Sequence, residues 1–544
     1  MTVKRQILKS ASAIALVTVI SRICGYLRDQ RVALLLGTSP AADSFVLALR
    51  IPNLIRRMTG EGSLGASFIP VFTGYMRDKP REQVWAFAGK AFWDLAALLG
   101  VIALLGVIFS RQVINLYTVF AADRSGWELA VYLNRIIFPA VFFIGLAALA
   151  AAILHSFRIF VLPAATPIFL NLVFVLFSIG IVYRPVMRMA PPAYRTPAVA
   201  LAIGFLLGAV VQLGMQIPAL VHQGMRFRFG LSVSDPGVRK VGRLLGPAFF
   251  GMSVYQINQY VDTIFSASSR MPSGSVASLY VADRIMQLVL GTYAIAMSTA
   301  LLPTMSHQVA EGKMDEMKHT FGFSVRIVSF IAIPAAVGLI LLRQPIVQVL
   351  FQHGAFVAES TALTARALFY YSLGLPAFAV IKLITPMYYS AHDTMTPARV
   401  GAWSLALNLA LNLIFLFFFL RYFLNGSPAM ASTIAAYFNF AALFLIFRRR
   451  YGALGSRGLI AAISKITVCT VAMAIACYTA LKMSGFAASQ HFLNQVGLLA
   501  AMILGSTVIY FGVAKLLRCE ELAELLSLLR RAEHAPLPTA GAEF

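Results

Sequence analysis

Charge is scarce in this chain. Asp, Glu, Lys and Arg make up 12% of its 544 residues, about half the share found in a soluble globular domain. Acidic residues are the scarcest, 21 against 45 Lys and Arg. There are only four cysteines, Cys24, Cys469, Cys477 and Cys519. Their spacing matches no metal-ligand set and no disulfide framework, so they read as small buried hydrophobes. The chain also lacks the GxxxxGK[ST] phosphate loop, HExxH, GxSxG, and any pair of carboxylates with metal or acid–base spacing in an external loop. No metal and no cofactor is expected, and nothing points to ATP as a drive.

What is present is apolar. Hydrophobic residues form 59% of the chain, with a mean hydropathy of +0.79. Runs long enough to cross a hydrocarbon core of ~30 Å recur throughout. We place spans at roughly 7–35, 41–58, 84–110, 128–154, 160–183, 197–221, 243–267, 276–303, 320–342, 361–389, 397–423, 429–447, 459–483 and 492–517. The expected fold is therefore an all-α polytopic membrane protein of about fourteen helices. The N-terminal run resembles a signal peptide but continues into Arg22 and Arg28 without a cleavage site, and reads as an uncleaved first helix.

The net charge of +24 is distributed as topology, not as a nucleic-acid surface. Basic residues cluster in alternate loops: Arg77, Lys79 and Arg81; Arg226, Arg228, Arg239 and Lys240; Lys313 and Lys318; Arg448, Arg449, Arg450 and Arg457; Arg518, Arg530 and Arg531. By the positive-inside rule both termini are cytoplasmic, and these clusters attract anionic membrane lipids. Arg184, Arg188 and Arg195 are the exception, in a loop expected outside.

A repeat runs through the apolar pattern. Ala48 and Arg50 recur as Ala282 and Arg284 at an offset of 234, and Ser156 recurs as Ser390 at the same offset. Pro70 and Pro303 are 233 apart, and Thr166-Pro167 and Thr396-Pro397 are 230 apart. The offset spans six helices, an even number, so the copies share one orientation, as in parallel-repeat transporters with a site between their lobes. The expected domains are lobes 1–222 and 223–450, two extra helices over 451–518, and a cytoplasmic tail 519–544.

The chemistry lies in charges set inside apolar runs. The first run carries Ser21-Arg22, Arg28-Asp29 and Arg31, the second Asp43, Arg50, Arg56 and Arg57, and the eighth Asp283-Arg284. Each Arg facing lipid at mid-bilayer costs about 2.5–3.5 kcal/mol, so Arg22, Arg28 and Arg50 together would cost on the order of 8–10 kcal/mol. Such residues persist where they line a wet cavity and meet an anion. A guanidinium stays charged at any depth and its fork matches phosphate oxygens, which points to phosphate or pyrophosphate. The plainer reading is internal pairing of Arg22 or Arg28 with Asp29 or Asp43. Arg22 and Arg28 lie about 120° apart on a straight helix, so either the cavity is wide or Gly25 bends the helix. Glu61 sits in a glycine-rich break, Thr59-Gly60-Glu61-Gly62-Ser63-Leu64-Gly65.

These residues resemble a known family. SRICGYLRD at 21–29, ADSF at 42–45, RIPNLIRR at 50–57, EGSLGASFIP at 61–70, YVADRIMQ at 280–287, ALLPTMS at 300–306, FQHGAF at 351–356 and TPMYYSAHDTMTP at 385–397 are similar to the MurJ/MviN lipid II flippases of the multidrug/oligosaccharidyl-lipid/polysaccharide exporter superfamily. The resemblance implies two pseudo-symmetric six-helix lobes around a cationic cavity and a lipid-tail groove on the two extra helices. It implies a transporter of the bacterial inner membrane, not an enzyme, carrying lipid II to the outer leaflet and driven by an ion gradient or the membrane potential. The cell-wall synthesis machinery is a possible partner. The family's substrate-binding positions fall on Arg22, Arg28, Arg56 and Arg284, with Ser21 and Arg50 beside them, and its gating or charge-balancing acids on Asp43, Glu61 and Asp283. Gln287 and Ala355 depart from residues seen in some members. A related exporter, a glycosyltransferase acting on the same lipid, and a structural or signalling membrane protein are the alternatives.

Overall fold

Inside hydrocarbon every backbone N–H and C=O must find a partner within the protein, and the helix is the local way to do so. The computed structural model describes residues 3–58, 64–121, 127–227, 229–232, 235–391, 393–452, 456–486 and 491–525, and among them there is no β-strand. Two compact units result: residues 1–277 with 353–357, and residues 278–352 with 358–544.

The first unit holds α1 (Val3–Leu36), α2 (Pro40–Met58), α3 (Leu64–Asp78), α4 (Arg81–Ile108), α5 (Ser110–Tyr117), α6 (Glu128–Ile137), α7 (Ala140–Ser156), α8 (Val161–Leu176), α9 (Gly180–Met189), α10 (Pro197–Gly214), α11 (Ile217–Gln223) and α12 (Pro236–Ser266). Helix α1 packs on α8, α8 on α10, and α10 on α7; α12 packs on α2 and α3. An aromatic core of Phe68, Phe72, Trp85, Phe87 and Phe157 locks α3 and α4 against the end of α7. Helices α8 and α9 meet at a 73° bend. The segment 353–357 joins this unit, with Ala355 N–H donating to the Leu34 C=O at 2.8 Å.

The second unit holds nearly all of α13 (Ser275–Ala310), then α14 (Met314–Phe351), α15 (Ala358–Ser390), α16 (Met395–Ile414), α17 (Leu420–Phe423), α18 (Ser427–Tyr451), α19 (Ser456–Met483) and α20 (Phe492–Leu516). Helix α14 packs on α15, α19 and α20, and α15 packs on α18. Helical structure runs almost unbroken over Met395–Tyr451. Those 57 residues would span about 85 Å as one straight helix, against ~30 Å of hydrocarbon. The chain instead reverses at Leu424, where φ is 46°, and α16 folds back on α18. Ser404 Oγ donates to the Ala435 C=O at 2.8 Å and Asn408 Nδ2 to Ser432 Oγ at 3.2 Å, the small-and-polar packing expected between helices in a membrane.

Helix boundaries recur at the spacing of the sequence repeat. Starts at Pro40, Arg81, Val161 and Pro197 have counterparts at Ser275, Met314, Met395 and Ser427, and the ends at Ser156 and Ser390 correspond. Among the described residues, eight helices are long and apolar enough to cross a membrane by length and composition, or nine if the bent α8–α9 pair is one span. The protein is a multi-pass membrane protein. The arginine-bearing α1 and α2 are not among the eight.

Candidate functional site

Helix α1 runs without interruption through Gly25. A Cβ on Gly25 would stand 3.9 Å from Asn171 Nδ2, an ordinary van der Waals contact, so the position has space for a side chain. One turn later Arg28, its side chain 19% exposed, donates through Nε (3.0 Å) and Nη2 (2.8 Å) to a single oxygen of Asp29. Its Nη1 donates to Asn171 Oδ1 at 3.2 Å. The internal pairing weighed for this arginine thus exists, but it is partial. Three of the five guanidinium N–H groups are used, and two remain without a partner among the described residues.

Arg31 follows the same logic one turn on, donating to Ser178 Oγ at 2.9 Å and to the Ser178 C=O at 3.0 Å. It sits where α8 gives way to the bend before α9 and satisfies a carbonyl that the bend exposes. Arg22 is exposed and Ser21 half-buried on the same helix.

On α2, the buried Asp43 carboxylate accepts from Gly274 N–H at 2.9 Å and from Ala277 N–H at 2.8 Å. The first N–H groups of a helix have no internal partner, and a side chain at the cap position ordinarily serves them. At that position of α13 stands Gly274, which has none, so Asp43 caps the helix from α2. Arg50 is half-buried, and its C=O accepts from Tyr260 of α12 at 2.7 Å. Arg56 lies on α2, but its side chain is outside the described residues, as is the whole of Glu61.

In the second unit, Arg284 donates from Nη2 to Tyr280 Oη at 2.9 Å, with its guanidinium carbon 4.9 Å from the centre of that ring. The buried Asp283 accepts from Gln287 Nε2 at 3.5 Å, the outer limit of a hydrogen bond. Gln287 thus acts as a neutral donor to this acid.

Sequence reasoning missed Asn171, Ser178, Tyr260 and Tyr280. For Asn171 a signal existed: a lone amide in the run Phe169-Leu170-Asn171-Leu172-Val173 is costly to bury unless it is hydrogen-bonded. The tyrosines carry no such signal, since an aromatic in a membrane helix is ordinary.

A sequence model of the family described as "Lipid II flippase MurJ" matches residues 32–497; Arg22 and Arg28 precede that span. A Vibrio cholerae protein named "Probable lipid II flippase MurJ" is 35% identical over 457 residues, covering 81% of this chain and 83% of its own. A Haemophilus influenzae protein of the same name is 30% identical over 518 residues, covering 92% and 98%. A solved structure, "Lipid II flippase MurJ, inward closed conformation", shares the fold with a TM-score of 0.75 at 24% identity, over 93% of this chain and 98% of that one. An inward-facing multidrug resistance MATE family transporter shares it with a TM-score of 0.64 at 14% identity, over 81% and 99%. By the extent of the family match and the identity to these relatives, the chain belongs to the MurJ family of lipid II flippases.

Proposed function

We propose that this chain is a lipid II flippase, a transporter that moves the undecaprenyl-pyrophosphate-linked disaccharide pentapeptide from the inner to the outer leaflet of the bacterial cytoplasmic membrane by alternating access. The observation that carries this reading is Arg28, a guanidinium within a largely apolar helix, paired with Asp29 and Asn171 and left with two donors that have no partner among the described residues. A pyrophosphate presents acceptors suited to such a fork. Arg22, Arg56 and Arg284 extend the grip, with Ser21 and Arg50 beside them, while Asp43, Glu61 and Asp283 balance charge or gate. Fourteen crossings, lobes over 1–222 and 223–450, a polyprenyl groove on 451–518 and cytoplasmic termini complete the arrangement. The membrane potential, worth ~2.3 kcal/mol per charge per 100 mV, or an ion gradient drives the cycle, and the cell-wall synthesis machinery receives the product.

The test is leaflet-specific detection of lipid II in cells that depend on this chain. Depletion, Arg28→Ala and Arg284→Ala are each expected to trap lipid II inside and stop peptidoglycan synthesis. Normal outer-leaflet exposure in both variants refutes the site. Normal exposure on depletion refutes the substrate and favours an exporter of another polyprenyl-linked glycan, a reading that the fold shared with the MATE family transporter also fits.

A further inference from the structure

A guanidinium that grips a pyrophosphate must itself be held in place. Arginine has several rotatable bonds, and a free side chain in a polar cavity would fold onto the nearest carboxylate. Asp29 is adjacent in sequence and takes the Nε–Nη2 edge through one oxygen. That contact alone fixes one edge and leaves the group free to swing about it. The second anchor comes from another helix. Asn171 of α8 is 6% exposed and receives Nη1 at 3.2 Å, and α8 itself is packed against α1.

We infer that Asn171 is a positioning residue for Arg28: with Asp29 it brackets the guanidinium so that its two remaining N–H groups stay presented to phosphate oxygens. This rests on the headgroup reading above and adds to it a residue on a different helix. The chemistry of the side chain supports the assignment. An amide oxygen accepts a hydrogen bond without adding charge, so the cluster of Arg28, Asp29 and Asn171 sums to zero. A carboxylate at the same position would accept as well but bring the sum to −1, setting a repulsive charge beside an arriving pyrophosphate.

The experiment is a double-mutant cycle on the full-length protein purified in detergent. It measures affinity for lipid II and for undecaprenyl pyrophosphate, which carries the phosphates without the sugar or peptide. Asn171→Ala is expected to weaken binding of both about tenfold, equivalent to about 1.4 kcal/mol. In the Arg28→Ala background the same substitution is expected to change affinity less than twofold, because nothing is left to position. Asn171→Asp is expected to weaken binding at least as much as Asn171→Ala, and increasingly so as salt is lowered, since charge repulsion is then less screened. Should Asn171→Ala fail to fold, Asn171→Leu fills the same volume and carries the same expectation.

If Arg28→Ala binds both lipids normally, the headgroup reading itself fails. If Arg28→Ala binds weakly while Asn171→Ala and Asn171→Leu bind normally, the positioning role is overturned. Equal losses from the Asn171 change in both backgrounds mark a structural contribution only and overturn it as well.

Discussion

The junction of α2 and α13 offers a contrast between two glycines that share a backbone conformation and differ in surroundings. Gly274 has φ of +83° and Gly312 has φ of +75°, both in the left-handed region that disfavours a Cβ by about 1–2 kcal/mol. A Cβ on Gly312 meets nothing within 4 Å, whereas one on Gly274 lands 2.0 Å from the Thr38 carbonyl oxygen and 2.6 Å from Thr38 Cβ. Backbone oxygen cannot rotate away, so Gly274→Ala must move the turn that donates to Asp43. Losing one of the two hydrogen bonds to that carboxylate adds about 1.5–3 kcal/mol. Gly274→Ala should therefore cost about 2.5–5 kcal/mol, and Gly312→Ala only the backbone contribution of about 1–2 kcal/mol. Thermal unfolding of both variants in detergent, followed by tryptophan fluorescence, reads the difference. Asp43→Asn, which can accept only one of the two N–H groups, should fall between them. Equal midpoints for the two alanine variants would refute the claim that this junction is held by close backbone approach and the Asp43 cap.

Three further outcomes follow from named contacts. Gly25→Ala should raise stability by about 0.5–1 kcal/mol, the ordinary gain inside a helix; a stable variant that no longer transports would restore the glycine as a hinge. Tyr260→Phe removes the hydrogen bond to the Arg50 carbonyl and should cost about 1 kcal/mol, and an unchanged unfolding midpoint would show that bond to be idle. Asp235 caps α12 through the Gly237 N–H at 2.9 Å and pairs with Lys90 at 3.0 Å. Burial pushes its carboxyl up, but the Lys90 ammonium and the Gly237 N–H outweigh that and hold it below the usual range. A depressed carboxyl stabilises the fold above its unfolded value of about 3.9 and loses that contribution as pH falls through the folded value. Asp235→Asn should therefore be less stable than the native chain at neutral pH and converge with it under acid conditions, and parallel unfolding curves at all pH values would contradict the pairing.

Much of this molecule is determined by local sequence. Membrane helices arise from runs of apolar residues, and both run length and period are properties of a few consecutive turns, so the all-helical, multi-pass character could be read from residue order alone. The 234-residue offset between Arg50 and Arg284 was legible for the same reason, and it reappears in the starts of α8 and α16. The charged positions in α1, α2 and α13 announced themselves because charge in hydrocarbon is costly wherever it occurs. What those charges touch was decided only by tertiary structure. Asn171 lies 143 residues from Arg28, and the N–H groups capped by Asp43 lie 231 and 234 residues away. Such contacts depend on which helices pack together, and that choice is made by side-chain fit summed over whole surfaces. Residue order alone therefore told where the arginines would be; only the packing of α8 against α1 decided how one of them is held.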